Sequence, residues 1–285
     1  MNQKSQALIL GLITIFCWGS LATFSNLVIH LPPFYVLGVT FLFGALPAFF
    51  KPKQMFPNLK TTAVGVFGLF GYHFFLFYSF RYAPAVEANL INYMWPVLMV
   101  IISPVFFKNE KLFWYHIAGA VLAVIGCVVL VFGKGGELKS EYVQGYLLAA
   151  GAAITWPLYS MTKKKLPPVS VWAVGGFCLG ASILSFLTHA LIEPAVSLVA
   201  HDAWILLVMG LGPFGLAFYC WDLALSKGDT RLLGALAYLT PVLSTLGLVL
   251  FVGQTLAQTT VIAMVLIIGG ASSGLLDFLP RKKVK

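Results

Sequence analysis

The sequence predicts an all-α membrane protein whose ten transmembrane helices form two inverted five-helix repeats around a central cavity. Three observations predict this fold. The 285 residues are 60% hydrophobic and 9% charged, whereas about a quarter of an ordinary soluble domain is charged. Apolar runs of roughly 20 residues, long enough to cross about 30 Å of hydrocarbon as a helix, recur along nearly the whole chain. The two halves of the chain also carry similar motifs.

Breaks between the apolar runs place the helices. Clusters of proline, glycine and lysine mark the connections, among them Pro32-Pro33, Lys51-Pro52-Lys53, Lys134-Gly135-Gly136 and Pro167-Pro168. The predicted helices cover residues 6–28, 33–50, 61–80, 86–106, 112–132, 143–162, 168–190, 203–225, 231–251 and 257–278. We expect the first helix to be retained, because no small-residue cleavage site accompanies it.

The distribution of lysine and arginine predicts the orientation. Ten helices place both termini on the same side of the membrane. The two termini and the connections after even-numbered helices hold 15 basic residues, whereas the other five connections hold 3. Because basic residues concentrate on the cytoplasmic side, we expect both termini to be cytoplasmic.

Paired motifs predict an internal repeat. Phe77-Tyr78 matches Phe218-Tyr219, Tyr93-x-x-Pro96-Val97 matches Tyr238-x-x-Pro241-Val242, and Trp18 matches Trp156. The predicted units are a first repeat over residues 1–133, a connecting loop over 134–141, and a second repeat with a basic cytoplasmic tail over 142–285. Since each repeat has an odd number of helices, the two lie inverted in the membrane. This plan is typical of transporters, with the substrate site near the midplane.

Polar residues in helix four predict the wall of the cavity. Asn89, Asn92, Pro96 and Met99 fall on one helical face, and Trp95 lies beside Asn92. Polar side chains at such depth are expected to face protein or a water-filled cavity rather than lipid. Asn92 is therefore a candidate substrate-binding residue.

Aromatic residues supply the other candidates. Trp18, Trp95, Trp156 and Tyr238 lie deep in the predicted helices, where each either lines the cavity or packs two helices together. A wall of Trp and Tyr can stack on a flat ring or hold an ammonium group. Tyr78, Tyr159 and Trp221 lie nearer to helix ends, which leaves them as gates or as anchors at the membrane interface.

Few ionisable residues lie inside the helices. Asp222 is a candidate for gating or coupling, and the alternative is a hydrated carboxylate at a helix end. His73 is either linked to proton movement or a neutral imidazole bonded to a neighbouring helix. Arg81 and Glu87 are expected to pair at the rim of their connection, and the alternative is a proton relay. The cysteines lack the spacing of a metal site or disulfide framework and are expected to pack in the apolar spans: Cys17, Cys127, Cys178 and Cys220.

Several function classes find no support. The sequence contains no nucleotide-binding Gly-x-x-x-x-Gly-Lys-Ser/Thr loop, no His-Glu-x-x-His metal helix and no Gly-x-Ser-x-Gly nucleophile motif. We therefore expect no enzyme, no cofactor and no metal. The net charge of +9 is spread over short connections, which argues against nucleic acid as a partner. The expected partners are a small-molecule substrate and the lipid bilayer, and a monomer is compatible with the sequence.

The motifs resemble those of the drug/metabolite transporter superfamily, in its EamA-type branch of ten-helix exporters. Asn92-Tyr93-x-Trp95-Pro96, Trp156-x-x-Tyr159 and Tyr238-x-Thr240-Pro241-Val242-Leu243-Ser244 are similar to the bacterial aromatic amino acid exporters of that superfamily. The resemblance implies export of aromatic and related neutral amino acids across the inner membrane through a central cavity. Glu110 fits an acidic position common in the superfamily, but Gln254 stands where the second repeat often has glutamate.

Two alternatives remain open. The same fold can carry another cargo, such as threonine and homoserine, cysteine metabolites, nucleosides or quaternary ammonium compounds. A membrane scaffold would use the same helices only for packing. A scaffold predicts a centre filled by side chains, whereas a transporter predicts a cavity that reaches one side.

Overall fold

A computed structural model describes residues 2–83, 85–132, 140–196, 200–253 and 258–273 of this protein. The regular structure of these residues is helical. Within these residues, ten helical elements follow one another, with short 3-10 turns at Pro52–Gln54 and Ser140–Tyr142. The elements are α1 (Gln3–Gly19 and Leu21–Leu27), α2 (Pro33–Ala45, extended by the 3-10 turn Leu46–Phe50), α3 (Leu59–Ser79), α4 (Ala85–Asn92 and Trp95–Phe106), α5 (Trp114–Phe132), α6 (Val143–Lys165), α7 (Ala173–Ile192), α8 (Ala200–Leu211, Gly212–Leu216 and Ala217–Lys227), α9 (Thr230–Ala237 and Leu239–Val252) and α10 (Gln258–Ser272).

The predicted all-α membrane architecture is confirmed. Six helices in the described part of the chain are long and apolar enough to cross a membrane, namely α1, α2, α3, α7, α8 and α9. Every predicted helix has a counterpart, and most ends agree within three residues. Among the ends that fall within the described residues, the largest difference is the start of α7, which lies at Ala173 rather than at 168 because Pro167 and Pro168 stay in a non-helical segment. The predicted end of the tenth helix at 278 lies outside the described residues.

Side chains at the helix starts explain several of these ends. Asn2 accepts a hydrogen bond from the backbone N–H of Ser5 at 2.8 Å, and Asn58 accepts one from Thr61 at 2.9 Å. Each bond satisfies a backbone donor that the first helical turn leaves without a partner. These two residues therefore fix the starts of α1 and α3.

Two helices are broken at equivalent positions. The first segment of α4 ends at Asn92, and the first segment of α9 ends at Ala237. Pro96 and Pro241 each lie four residues further on, where a helical proline has no N–H to donate and its ring clashes with the carbonyl at i−4. Each proline therefore explains the break that precedes it.

Packing follows the repeat. The contact of α1 with α8 is matched by α6 with α3, and the contact of α2 with α8 is matched by α7 with α3. The contact of α1 with α9 is likewise matched by α6 with α4, and three further contacts, α2 with α7, α4 with α9 and α5 with α10, join each helix to its own counterpart. Two five-helix halves related by a pseudo-two-fold axis produce this pattern. The residue boundaries of the two repeats stay a prediction.

Close packing between the halves depends on glycines in α3. A β-carbon at Gly65 would lie 2.2 Å from the ring of Phe177, which is fully buried. At Gly71 in the same helix, the nearest atom would be Thr155 Cγ2 at 3.7 Å, an ordinary contact. Only Gly65 is therefore required by the approach of α7.

We expect Gly65→Ala to destabilise the protein and Gly71→Ala to leave it unchanged or more stable. Overpacking a core costs about 1–3 kcal/mol, whereas alanine in a helix gains up to about 1 kcal/mol over glycine. Thermal unfolding of the purified protein in detergent would compare the two variants. Equal melting temperatures would contradict the close packing of α3 against α7.

Candidate functional site

The two ends of the bundle are distinct. The N-terminal face carries the start of α1 and the connections after α2, α4, α6 and α8, and the other connections belong to the opposite face. Contacts confirm the grouping on both faces. On the N-terminal face, Lys227 at the end of α8 donates to Gln6 of α1 at 2.9 Å. On the opposite face, His30 after α1 lies 3.0 Å from Asp202 at the start of α8.

A cavity of about 460 Å³ lies at the centre of the bundle. Helices from both halves line it, including α1, α2, α3, α4, α6, α8 and α9. Its lining reaches Phe80 and Ile29 in the connections of the opposite face, and Ile29 is 78% exposed. The cavity therefore opens toward the opposite face. This feature is the one expected of a transporter, since a scaffold predicted a filled centre.

Five aromatic side chains close the inner end of the cavity. Trp18 is central to this aromatic cluster, with ring centroids 5.4 Å from Trp156, 5.1 Å from Trp221, 6.2 Å from Trp95 and 6.1 Å from Phe218. Aromatic rings at such separations attract each other beyond their burial of surface. Trp221 is 2% exposed and donates from Nε1 to Ser160 at 3.2 Å. The aromatic cluster forms a packed barrier across the bundle.

An ion-pair cluster lies beyond this barrier, at the N-terminal face. Lys163 donates to Asp222 at 2.8 Å, which ties α6 to α8. Lys164 donates to Glu110 at 2.8 Å and to the hydroxyl of Thr230 at 2.8 Å, which ties α6 to the connection after α4 and to the start of α9. Lys163 follows Trp156 by seven residues, or roughly 10 Å at a rise of 1.5 Å per residue. The cluster therefore seals the end of the bundle that the cavity does not reach.

Glu110 also accepts hydrogen bonds from the first residue of α9. The backbone N–H and the hydroxyl of Thr230 both donate to Glu110 Oε1, at 3.2 and 3.1 Å. A carboxylate at a helix N-terminus interacts favourably with the helix dipole. Burial alone would raise the pKa of the neighbouring Asp229 carboxyl. The hydrogen bonds that Asp229 accepts from Arg231, together with the charges of Arg231 and Lys164, outweigh burial and lower that pKa. Both carboxylates thus hold the start of α9 through charge.

Glu193 organises the opposite face. Its carboxylate accepts from the backbone N–H groups of Phe34 and Tyr35 at 3.1 and 3.2 Å, at the start of α2. His189 lies 2.9 Å away and Arg81 lies 3.6 Å away. Arg81 thus contacts Glu193, whereas the side chain of Glu87, its predicted partner, lies outside the described residues. These contacts join α2, α7 and the connection after α3 beside the cavity mouth.

The structure brings half of the ten predicted site residues together in the cavity lining. Trp18, His73, Asn92, Trp95 and Trp156 line the cavity. Asn92 donates from Nδ2 to the hydroxyl of Tyr72 at 3.2 Å, and His73 bonds the carbonyl of Leu69 at 2.8 Å.

The other predicted residues lie elsewhere. Tyr238 is absent from the described cavity lining and packs in a separate apolar cluster with residues of α4, α5 and α10. Tyr78 stands on the opposite face, where its hydroxyl lies 3.3 Å from that of Tyr82. Tyr159 and Trp221 lie behind the cavity wall, and Asp222 belongs to the ion-pair cluster. Gln254 and the side chain of Cys127 lie outside the described residues.

Sequence reasoning missed several residues of the site. In the sequence analysis, Lys163 and Lys164 contributed only to the count of positive charges. They end the helix that carries Trp156, and this position could have indicated that they lie near the site. Tyr72 and Thr240 also line the cavity. Thr240 stands within a motif already singled out, so its side-chain oxygen could have been included on that ground.

Several known proteins are similar to this chain in sequence or in structure. The sequence profile of the EamA-like transporter family matches residues 5–132 and 143–273. The aromatic amino acid exporter YddG of Ancylobacter novellus is 38% identical, over 94% of this chain and 96% of its own length. A probable amino-acid metabolite efflux pump of Salmonella typhimurium is 26% identical, over 97% of both chains. A solved crystal structure superposes with a TM-score of 0.91 at 38% identity, covering 96% of this chain and 97% of the other.

Proposed function

Since the chain belongs to the EamA-like transporter family, we propose that it is a secondary transporter that exports aromatic and related neutral amino acids. The observation that carries the proposal is the central cavity, which is walled by tryptophans, opens to one face and is closed toward the other. Trp18, Trp95 and Trp156 would stack on an aromatic side chain. The relative that is 38% identical is named an aromatic amino acid exporter, which supports the same cargo.

The orientation follows from the charges. The N-terminal face holds the connections rich in lysine, so this face is cytoplasmic in the bacterial inner membrane and the cavity faces outward. In this orientation the ion-pair cluster and the aromatic cluster close the cytoplasmic path. The form described here is thus the one that releases substrate.

Transport then proceeds by alternating access. The broken helices α4 and α9 stand opposite each other and contact α6 and α1, and both breaks lie beside the cavity. Movement of the α3–α4 pair and the α8–α9 pair would separate Lys164 from Thr230 and open the cytoplasmic side. Tyr78 on the opposite face and Trp221 behind the cavity are the proposed gating residues, and Asp222 acts through its pair with Lys163.

Counterflow in liposomes tests the proposal. Liposomes containing the purified protein are preloaded with phenylalanine, tryptophan, threonine or buffer, and uptake of labelled phenylalanine is measured. We expect the aromatic preloads to stimulate uptake at least fivefold over buffer. A proton ionophore in parallel samples separates facilitated exchange from proton coupling.

The outcome also separates the competing cargo. Stimulation by threonine alone would favour the activity named for the threonine/homoserine exporter RhtA of Salmonella typhimurium, which is 25% identical over 84% of this chain. Folded protein that responds to no amino acid would contradict the proposed function.

A further inference from the structure

Two buried polar atoms on residues that line the cavity have no hydrogen-bond partner among the described residues. They are Asn92 Oδ1 and Trp156 Nε1, on side chains of residues that are 3% and 2% exposed. A buried polar group without a partner is costly, and it gains more from a ligand than an exposed group does. The hydroxyl of Thr240, from the second half of the chain, has the same status and lines the same cavity.

Tyr72 connects these two groups. Its hydroxyl accepts the hydrogen bond from Asn92 Nδ2 at 3.2 Å, and its ring centroid lies 5.1 Å from that of Trp156. With Nδ2 engaged, Oδ1 is the atom of the Asn92 amide that stays without a partner among the described residues, and it can only accept. The indole N–H of Trp156 can only donate. The residues that line the cavity therefore include one with a free acceptor and one with a free donor, and both residues contact the same tyrosine.

The charge of the lining restricts the ligand further. Among the described residues that line the cavity there is no Asp, Glu, Lys or Arg. Lys163 and Asp222, which lie beyond the aromatic cluster, are paired with each other. An ion that carries net charge would lose its hydration here without gaining a counter-ion, whereas an ammonium next to a carboxylate carries no net charge.

We propose that Asn92 and Trp156 form a subsite for the head group of a zwitterionic α-amino acid. Asn92 Oδ1 accepts from the ammonium, Trp156 Nε1 donates to the carboxylate, and the ligand side chain rests against the apolar wall. This inference rests on the proposed function and adds a rule to it: the cavity selects ligands that carry an ammonium and a carboxylate together, in addition to selecting their ring.

A panel of four ligands with the same benzyl ring tests the rule. Phenylalanine is zwitterionic, phenylalaninamide is cationic, 3-phenylpropanoate is anionic and 3-phenylpropanamide is uncharged. Each competes for binding of labelled phenylalanine to the purified full-length protein, a readout that does not depend on turnover. We expect phenylalanine to compete at least tenfold better than the other three ligands.

Substitutions test which atom binds the carboxylate of the ligand and which binds its ammonium. Trp156→Phe keeps a ring but removes the N–H, and we expect it to weaken phenylalanine about tenfold while leaving phenylalaninamide unchanged. Asn92→Asp keeps the acceptor and adds a negative charge, so we expect it to strengthen phenylalaninamide at least tenfold relative to phenylalanine. Trp114→Phe is the matched control, because Trp114 is 78% exposed and distant from the cavity lining.

The possible results are distinguishable. Equal competition by all four ligands, or an unchanged ligand order in Asn92→Asp, would overturn the subsite and leave amino acid transport standing. Strong binding of phenylalaninamide to the unmodified protein would show that tryptophan faces hold the ammonium by cation–π attraction, and would also overturn it. Folded protein that neither binds nor exchanges phenylalanine would overturn the proposed function and the subsite together.

Discussion

Replacing Lys164 by methionine is expected to shift the protein toward a form that is open at the N-terminal face. The Nζ of Lys164 donates to Glu110, Thr230 and the carbonyl of Gly228, at 2.8, 2.8 and 2.9 Å. Methionine keeps most of the side-chain volume but leaves the carboxylate of Glu110 without its cation. Breaking a buried pair costs about 3–5 kcal/mol. We expect about 2 kcal/mol here, since the Lys164 side chain is 16% exposed.

This loss acts only on the closed form. If opening separates the ion-pair cluster, the ratio of open to closed protein rises by about 30-fold. Ser160 lies behind the aromatic cluster and is fully buried. In a background without the four native cysteines, Ser160→Cys would place a thiol there whose alkylation rate reports opening. We expect Lys164→Met to accelerate alkylation at least tenfold.

The neighbouring lysine provides the control. Lys165 follows Lys164 but is exposed, and its Nζ lies 5.8 Å from the ring centroid of Phe106. Lys165→Met should therefore leave the alkylation rate within twofold of the parent protein. If both variants alkylate at the parent rate while their melting temperatures stay unchanged, the ion-pair cluster does not hold the N-terminal face closed.

Helix positions were predictable because the membrane imposes them. A span needs about 20 apolar residues, and the connections concentrate the charges, glycines and prolines, so composition alone locates the elements. The repeated Tyr-x-x-Pro-Val motif also carried information, because Pro96 and Pro241 account for the breaks after Asn92 and Ala237. Proline chemistry alone does not fix where a helix breaks, because Pro104 and Pro157 lie inside unbroken helical segments.

The facing of individual side chains was less predictable. These helices are apolar on most of their circumference, so helical periodicity gives a weak indication of which side meets the cavity. Trp156 and Tyr238 both lie far from the ends of their predicted helices, and each shortly precedes a proline. Of the two, Trp156 lines the cavity and Tyr238 does not belong to the described lining. Tyr238 stands at the break in α9, between its two helical segments. The 3.6-residue period does not continue across such a break, so it cannot predict which way the side chain points.

The ion-pair cluster depends on contacts distant in sequence. Lys163 and Asp222 are 59 residues apart, and Thr230 is 120 residues from Glu110. The positive-inside rule explains lysines at this face by topology alone, so it assigns them no partner. Only the packing of α6 between α4 and α8 reveals that two of them are bonded to carboxylates.

Replacing Trp18 by alanine is expected to reduce phenylalanine counterflow at least tenfold. Trp18 contacts all four other rings of the aromatic cluster, and it belongs both to the cavity wall and to the barrier behind it. Alanine would remove the stacking surface for a substrate and leave a void that joins the cavity to the layer of Trp221. Substrate would then bind weakly, and the barrier between the two faces would leak.

Stability must be measured beside transport, because truncating a buried tryptophan costs about 3–5 kcal/mol. Trp204→Ala is the matched control, since Trp204 is 65% exposed and an exposed substitution usually changes stability by less than about 0.5 kcal/mol. Trp18→Phe keeps an aromatic ring and should retain more exchange than Trp18→Ala. Rates are compared per folded molecule, as judged by size-exclusion chromatography of protein extracted from the same liposomes.

The comparison separates a binding role from a structural one. If Trp18→Ala lowers only the amount of folded protein, the exchange rate per folded molecule will equal that of Trp204→Ala, and Trp18 is a packing residue. If the rate per molecule falls, passive leak of preloaded phenylalanine identifies the cause. Slow exchange without leak indicates lost substrate contact, whereas fast leak indicates a broken barrier. We expect both effects, because the same ring faces the substrate on one side and Trp221 on the other.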